Sequence, residues 1–151
     1  MTPKPIITGS DNPILRKKST KIDKIDATIK KLAKDLIETL KANPGVGLAS
    51  PQIGINKRMI LIKLNSGQKD EKDFIMINPE IKYFSPDTDI QEEGCLSLPE
   101  KYFDIKRSKE IIVNFKDLKG NEFALKLQDL NSRVVQHEVD HLDGILIVDR
   151  V

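Results

Sequence analysis

The first clear pattern along the chain is a run of apolar residues spaced three or four positions apart. Its members are Ile22, Ile25, Ile29, Leu32, Ala33, Leu36, Ile37 and Leu40. This spacing predicts an amphipathic helix over about residues 23–42, because positions three and four apart share one face of a helix. The segment Asn43-Pro44-Gly45 is expected to end it, since proline disfavours helical dihedrals in the residue before it.

Short segments further along the chain predict strands, and those at 59–64 and 74–77 are apolar and rich in β-branched residues. The other predicted strand segments are residues 81–84, 89–95, 111–115, 123–127 and 145–148. The runs at 111–115 and 123–127 are expected to form a hairpin through residues 117–121. The pattern predicts an α+β fold, in which largely antiparallel strands pack around a second helix.

The second helix is predicted to begin after Asp129 as its N-cap and to end with Gly144 at the C′ position. The apolar and polar positions expected on its inward side are Leu130, Val134, Val135, Glu138, His141 and Leu142. The segment after the first helix, from Gly45 to Gln52, is predicted to be a loop. The sequence thus predicts two substantial helices: an amphipathic one near the N-terminus and a central one among the strands.

Length and composition are those of an ordinary globular chain. Its 151 residues predict a single domain spanning 1–151, and 38% hydrophobic with 32% charged residues is typical of such domains. A net charge of +2 gives no general case for binding nucleic acid or a membrane. One cysteine excludes an internal disulfide, and no apolar run approaches the ~20 residues of a membrane span.

The segment QHEVDHLDG, beginning at residue 136, contains both histidines of the chain. His137 and His141 differ by only ~40° around a helix axis, so both imidazoles face one side. Two imidazoles can share a divalent metal ion, and Glu138 between them lies close enough to transfer a proton. Such a pair needs a third protein ligand, and the only cysteine, Cys95, lies in the segment EGCLS at 93–97.

Three segments together resemble the motifs of the peptide deformylases, in the same order as in that family. They are GVGLASPQ at 45–52, EGCLS at 93–97 and QHEVDH at 136–141. Peptide deformylases remove formate from the N-formyl-methionine of new bacterial-type proteins. The resemblance covers nearly the whole chain, and the three motifs together are far more specific than HExxH alone. The chain ends without the C-terminal helix of many deformylases, and this short form resembles phage-encoded members.

The resemblance implies one divalent metal ion held by Cys95, His137 and His141. Three protein ligands leave a fourth tetrahedral position for water, which is typical of a catalytic site. The ion implied in the cell is Fe²⁺, while Zn²⁺, Ni²⁺ or Co²⁺ can occupy such a site after isolation. A lone cysteine is more often a small buried hydrophobe, but its occurrence together with both histidines in recognised motifs favours the ligand role.

The resemblance also implies how the reaction proceeds. Water made nucleophilic by the metal would attack the formyl carbon, and Glu138 would pass its proton to the departing amine. The side-chain amide of Gln52 and the backbone N–H of Leu96 would stabilise the resulting oxyanion. The products are formate and a free N-terminus.

The family implies that the substrate peptide is added as a strand beside the chain around Val46 and Gly94. Gly47 lacks a Cβ atom, which would let a substrate backbone approach closely, although the glycines of this motif equally fit a plain turn. Leu130 and Val134 are candidates for the wall of the methionine pocket. Simple packing in the core is the alternative role for both.

The expected partners are nascent peptides that begin with N-formyl-methionine, and the family also suggests association with the ribosome. The chain is expected to be a monomer without a membrane or a specific nucleic-acid partner. A reduced cysteine and an N-terminus without a signal-peptide core predict a cytoplasmic protein. That cytoplasm would be bacterial, or that of a host cell if a phage encodes the protein.

Two other classes of protein share parts of this pattern. A zinc endopeptidase of the HExxH class usually takes a third His or Glu ligand downstream, and little chain follows His141 here. A structural metal site would need a fourth side-chain ligand, and the sequence has no further Cys or His.

Three more residues near the motifs bear on the site. Glu93 and Asp140 are expected either to orient the metal ligands or to form ion pairs with Arg107 or Arg133, and both interpretations stay open. Ser50 replaces the alanine commonly found in the first motif, and this change is expected to be tolerated.

Overall fold

Seven strands and three α-helices form the fold of the computed structural model, which describes residues 2–151. In chain order they are α1 (Pro13–Arg16), α2 (Ala27–Lys41), β1 (Gly47–Ala49), β2 (Met59–Leu64), β3 (Lys72–Phe84), β4 (Thr88–Cys95), β5 (Leu98–Ser108), β6 (Glu110–Lys116), β7 (Glu122–Gln128) and α3 (Asp129–Leu142). Single 3₁₀ turns cover Ser50–Ile53 and Ile147–Asp149. This is the predicted α+β architecture.

The strands form two separate antiparallel sheets. One has five strands in the order β1-β2-β3-β6-β7, and the other is the β4–β5 hairpin. Successive side chains of β2 point to opposite faces of the larger sheet, so Met59 and Leu61 pack with α2 while Ile60 and Ile62 pack on the other side. Both faces of β2 are therefore buried, which explains its continuous apolar sequence.

Helix α3 lies on the second face of the five-stranded sheet. Val134, Val135, Val139 and Leu142 join the apolar cluster formed by that face. A separate cluster holds the β4–β5 hairpin, where Leu98 and Ile105 pack with Leu15 of α1 and with the chain after α3. Helix α3, which carries both histidines and is called the metal helix below, is thus central, as predicted.

Helix α2 is shorter than its apolar pattern predicts. It begins at Ala27 rather than near residue 23, because the side chain of Asp26 accepts a hydrogen bond from the Ile29 N–H at 3.1 Å and caps the helix. It ends at Lys41, at the predicted breaker. No helix within residues 2–151 combines the length and apolar character needed to cross a membrane.

The start of α3 and the end of the chain differ from the prediction. Asp129 is the first helical residue, with φ of +53°, and Gln128 occupies the N-cap position without a side-chain hydrogen bond. Residues 145–148 were predicted as a strand, but they lead into the 3₁₀ turn Ile147–Asp149. The carboxylate of Asp149 accepts a hydrogen bond from the Leu146 N–H at 2.9 Å, which favours this turn over an extended chain.

Three segments of the strand prediction also change. Residues 81–84 are not a separate strand but the end of β3. This strand continues through Asn78, whose φ is +52°, and its pairing with β6 shifts register after Ile77 and again after Ile81. Strand β5 was missed, because of its eleven residues only Leu98, Ile105 and Arg107 are buried and no apolar run marks it. The predicted loop 45–52 contains the short strand β1.

Gly144 lies at the C′ position of α3, as predicted, with φ of +74°. A Cβ atom at this residue would lie 2.3 Å from the carbonyl oxygen of Arg16. The α1 segment therefore packs directly against the end of the metal helix, and only glycine allows this contact.

We expect Gly144→Ala to lower the free energy of unfolding by about 2–4 kcal/mol, because it adds a backbone clash to the strain of a left-handed residue. Gly67→Ala is the matched control, since Gly67 has φ of +82° but open space around the added Cβ. It should cost about 1 kcal/mol. Equal losses in thermal or denaturant unfolding of the two variants would contradict the role of the Arg16 contact.

Candidate metal centre and active-site cleft

The side chains of Cys95, His137 and His141 converge at one place in the fold. Their three donor atoms all lie within 4.8 Å of one another, and Sγ of Cys95 is 3.4 Å from Nε2 of His141. A tetrahedral ion with ligand bonds of about 2.0–2.3 Å separates its ligands by roughly 3.3–3.6 Å. The three donors therefore fit a single ion, and one thiolate with two imidazoles suits Fe²⁺, Zn²⁺, Co²⁺ or Ni²⁺.

Two different elements supply these donors. His137 and His141 lie one turn apart on α3, with ring centroids 5.1 Å apart. Cys95 is the last residue of β4, next to a register shift between Gly94 and Cys95 in the β4–β5 hairpin. The position of the hairpin relative to α3 therefore decides whether the thiol reaches the histidines.

Glu93 connects the hairpin to the metal helix. Its Oε1 lies 2.9 Å from Nδ1 of His137, so the imidazole N–H can donate to the carboxylate and leave Nε2 facing the metal position. Arg107 donates to both oxygens of Glu93, at 2.9 and 3.0 Å, and Arg133 donates to Oε2 at 2.6 Å. Glu93 thus both orients His137 and forms ion pairs with Arg107 and Arg133.

Asp140 belongs to the same buried network but does not contact a ligand histidine. Its carboxylate accepts a hydrogen bond from Arg107 at 2.7 Å and one from Arg150 at 2.7 Å. The ion-pair interpretation of Asp140 is therefore the one that the structure supports. Arg150 was not singled out in the sequence, where nothing marks its proximity to α3.

The charges around the histidines shift several pKa values. Burial alone would raise the pKa of Glu93, but the hydrogen bonds from His137 and Arg107 outweigh it and hold that pKa well below its usual range. Burial opposes a charge on His137, yet the neighbouring Glu138, Cys95 and Glu93 raise its pKa well above the usual value. Binding of a metal ion at His137 would therefore release a proton from this imidazole.

His141 has the opposite tendency. Burial, and next the charge of His137, lower the pKa of His141 well below its usual value. Its imidazole is therefore neutral near pH 7, as a metal ligand needs to be. Among the described residues, its buried Nδ1 has no hydrogen-bond partner.

Glu138 is buried, with Oε2 4.0 Å from Nε2 of His137. Its Oε1 has no hydrogen-bond partner within residues 2–151, and burial raises the pKa of this carboxyl to about 7. A Cβ atom on Gly47 would lie 2.7 Å from Oε2 of Glu138. A side chain at Gly47 would therefore displace the carboxylate of Glu138 from its present position.

Gln52 is buried and held at both ends of its side-chain amide. Oε1 accepts a hydrogen bond from the Ala49 N–H at 2.9 Å, and Nε2 donates to Oγ of Ser97 at 3.1 Å. Nε2 also lies 3.8 Å from Sγ of Cys95. Ser97 was not singled out in the sequence, although it shares a motif with Cys95. Leu96 lies between them in the turn from β4 to β5.

A cleft of about 690 Å³ opens beside these groups. Its lining includes all of the predicted substrate-binding residues, Val46, Gly47, Gly94, Leu130 and Val134. It also includes Gln52, Leu96, Glu138, Cys95 and His137. A larger groove of about 890 Å³ lies elsewhere, and its lining contains no predicted site residue.

Leu130 and Val134 contribute to this cleft in different ways. Val134 is buried and belongs to the apolar core cluster, and it also lines the cleft. Leu130 is 47% exposed, so its predicted place on the inward side of α3 is wrong and it lies at the rim. Tyr102 is also at the rim, with its ring 2.7 Å from the position of a Cβ on Gly94.

Comparison with known proteins defines the class. A family model described as polypeptide deformylase matches residues 3–151. The peptide deformylase of Pseudothermotoga lettingae is 45% identical over 140 residues, which are 93% of this chain and 78% of that protein. The crystal structure of the Thermotoga maritima peptide deformylase has a TM-score of 0.92 and 40% identity, covering 100% of this chain and 99% of that chain.

A probable peptide deformylase from the Synechococcus phage S-SSM7 is also similar in structure. It has a TM-score of 0.89 and 38% identity, covering 97% of this chain and 98% of that one. These similarities and the cluster of metal donors define a metallohydrolase. The chain belongs to the polypeptide deformylase family. It is a hydrolase that removes the formyl group from N-formyl-methionine at the start of new polypeptides, which confirms the resemblance seen in the sequence.

We expect Glu93→Gln to weaken metal binding about 10- to 100-fold, because His137 loses its charged hydrogen-bond partner. The variant should also lose about 3–5 kcal/mol of stability, since Arg107 and Arg133 then face a neutral amide in a buried site. Competition with a chelator and thermal unfolding measure the two effects.

Glu80→Gln is the control, because Glu80 forms only an exposed ion pair with Lys82 and should change neither quantity. The pKa of Glu93 is held below the ordinary carboxyl value of 4.5, so its contribution to stability is present above pH 4.5 and is lost as the pH falls. The loss of stability in acid should be shallower in Glu93→Gln. Unchanged metal affinity in this variant would contradict the role of Glu93.

Proposed function

We propose that Cys95, His137 and His141 hold one divalent ion and that Glu138, Gln52 and Leu96 carry out deformylation beside it. The observation that carries this proposal is the convergence of three metal donors and a buried glutamate at one cleft. We further propose Fe²⁺ as the ion in the cell, with Zn²⁺, Ni²⁺ and Co²⁺ fitting the same donors. When bound, the ion supplies the Lewis acidity that makes water nucleophilic near neutral pH.

Glu138 is the proton carrier in this proposal. Its Oε1 has no partner among the described residues and its pKa is near 7, so the carboxylate can accept a proton from the attacking water. Water attacks the formyl carbon, and Glu138 then delivers the proton to the nitrogen as the C–N bond breaks. Formate and a free amino group leave, which balances the addition of one water.

Gln52 and Leu96 stabilise the negative charge that develops on the formyl oxygen. The Nε2 group of Gln52 lies 3.8 Å from Sγ of Cys95, on the metal side of the amide. Leu96 follows Cys95 directly and lines the cleft, so its backbone N–H is close to the same position. Fixed donors aimed at developing charge lower the barrier most when water is excluded.

The substrate peptide binds as an added strand. Strand β1 is at the edge of the five-stranded sheet, and within residues 2–151 no strand pairs with its outer side. Val46, Gly47 and Gly94 line the cleft along this edge, where an extended peptide can pair with main-chain groups. Val134 and Leu130 then form the wall of a pocket for the methionine side chain.

We also propose that the chain acts as one domain over residues 1–151, as a monomer in the cytoplasm. The chain acts on formylated nascent peptides, and association with the ribosome would bring it to them as they emerge. The rival endopeptidase activity would require an added downstream ligand. The groups that gather around His141 are the thiol of Cys95 and the imidazole of His137, which favour the deformylase arrangement.

We expect the anaerobically purified protein to release formate from formyl-Met-Ala-Ser and to leave unformylated Met-Ala-Ser uncut. A coupled formate assay, with metal analysis on the same sample, measures this. Peptide-bond cleavage without formate would favour an endopeptidase. Full metal occupancy with neither activity would favour a structural metal site.

Glu138→Gln should retain the metal and lower kcat at least 100-fold, because an amide cannot accept the proton from water. The glutamine keeps the volume beside Gly47, so the packing of the helix is preserved. Glu92→Gln is the control, since Glu92 lines the cleft but is exposed, and its kcat should match the unmodified protein. Undiminished kcat in Glu138→Gln would remove Glu138 from the mechanism.

A further inference from the structure

We infer that the hydroxyl of Ser97 is a positioning residue for the side chain of Gln52. This inference rests on the proposed role of Gln52 as an oxyanion donor. Ser97 is fully buried, and its Oγ accepts a hydrogen bond from Nε2 of Gln52 at 3.1 Å. It acts on the reaction only through this amide.

The two anchors of Gln52 decide which way its amide faces. The Ala49 N–H can pair only with an acceptor, so the oxygen of the amide is fixed on that side at 2.9 Å. The amide nitrogen then faces Ser97 and Cys95. Ser97 therefore supplies the acceptor for the amide nitrogen, as the Ala49 N–H supplies the donor for the amide oxygen.

One N–H of Gln52 remains for the reaction. An amide nitrogen carries two hydrogens, and the one that is given to Ser97 directs the other toward Cys95. The distance of 3.8 Å to Sγ is long and sulfur is a weak acceptor, so this second N–H is held only loosely. In the proposed mechanism, this N–H is the one that donates to the formyl oxygen.

Residues 7–9 of the N-terminal arm bind the main chains of both Gln52 and Ser97. The Ile7 N–H donates to the carbonyl oxygen of Gln52 at 2.8 Å, and the Gly9 N–H donates to that of Ser97 at 3.0 Å. Residues 7–9 therefore cross-link the main chains of two motifs that are distant in sequence. The main-chain positions are fixed independently of the side-chain bond, so removing the hydroxyl leaves the scaffold in place and frees only the amide.

Ser97→Ala should lower kcat at least tenfold while KM stays within about twofold, because a misplaced donor affects the transition state more than the bound substrate. Metal content should be unchanged. Ser50→Ala is the matched control, since Ser50 is also a fully buried serine but its hydroxyl donates to the Met59 carbonyl at 3.0 Å. That variant should keep kcat.

A double-mutant cycle with Gln52→Ala separates positioning from general structure. If Ser97 acts through Gln52, then Ser97→Ala causes no further loss of kcat once the amide is absent. Losses that multiply in the double variant would overturn the inference, as would a kcat in Ser97→Ala equal to that of Ser50→Ala. Should the alanine variant not fold, Ser97→Cys fills the site with a slightly larger group, offers only a weak acceptor and should lower kcat in the same way.

Gln52→Ala distinguishes failure of this inference from failure of the proposed function. A loss of kcat in Gln52→Ala without one in Ser97→Ala overturns the inference alone. Full kcat in Gln52→Ala overturns the oxyanion role of Gln52, and the role of Ser97 with it.

Discussion

The site depends on the hydrogen bonds and ion pairs that the buried carboxylate of Glu93 forms. This carboxylate accepts hydrogen bonds from Arg107 on its own hairpin and from Arg133 and His137 on α3, so it joins two elements that share no strand pairing. A buried carboxylate is tolerated only when such donors compensate its lost hydration. The same contacts that make the charge acceptable in the interior therefore fix the hairpin against the metal helix.

Ion pairs fix the position of the β4–β5 hairpin relative to α3 better than apolar contacts would. The hydrophobic effect has no preferred direction, whereas the paired hydrogen bonds from Arg107 to Glu93 define both distance and direction. Metal ligands need to be placed within about 0.2 Å. Apolar packing of Leu98 and Ile105 brings the hairpin to the core, and the ion network then sets the position of Cys95.

Local patterns were sufficient for some of this arrangement and not for the rest. The four-residue spacing of His137 and His141 places both imidazoles on one face of a helix, so it was readable from the sequence. Strand β5 was not, because its mostly polar residues become a strand only by pairing with β4. Residues 145–148 show that an apolar run indicates burial rather than conformation, since Leu146 and Ile147 are buried without forming a strand. Contacts such as that of Ser97 with Gln52 join distant segments and carry no local signal.

Two buried polar atoms at the site have no hydrogen-bond partner within residues 2–151, and they lie where a metal ion would link binding to folding. Oε1 of Glu138 and Nδ1 of His141 are buried without a hydrogen-bond partner among the described residues, and His137 keeps a proton that its neighbours stabilise. Burying these two atoms without a partner costs free energy in the folded chain, whereas the neighbours of His137 favour its protonated form. Cys95, His137 and His141 would hold a cation in place of the proton on His137, and its binding would add to the stability of the folded state. The absent side chain of Gly47 leaves the space that the buried carboxylate of Glu138 occupies beside this cluster.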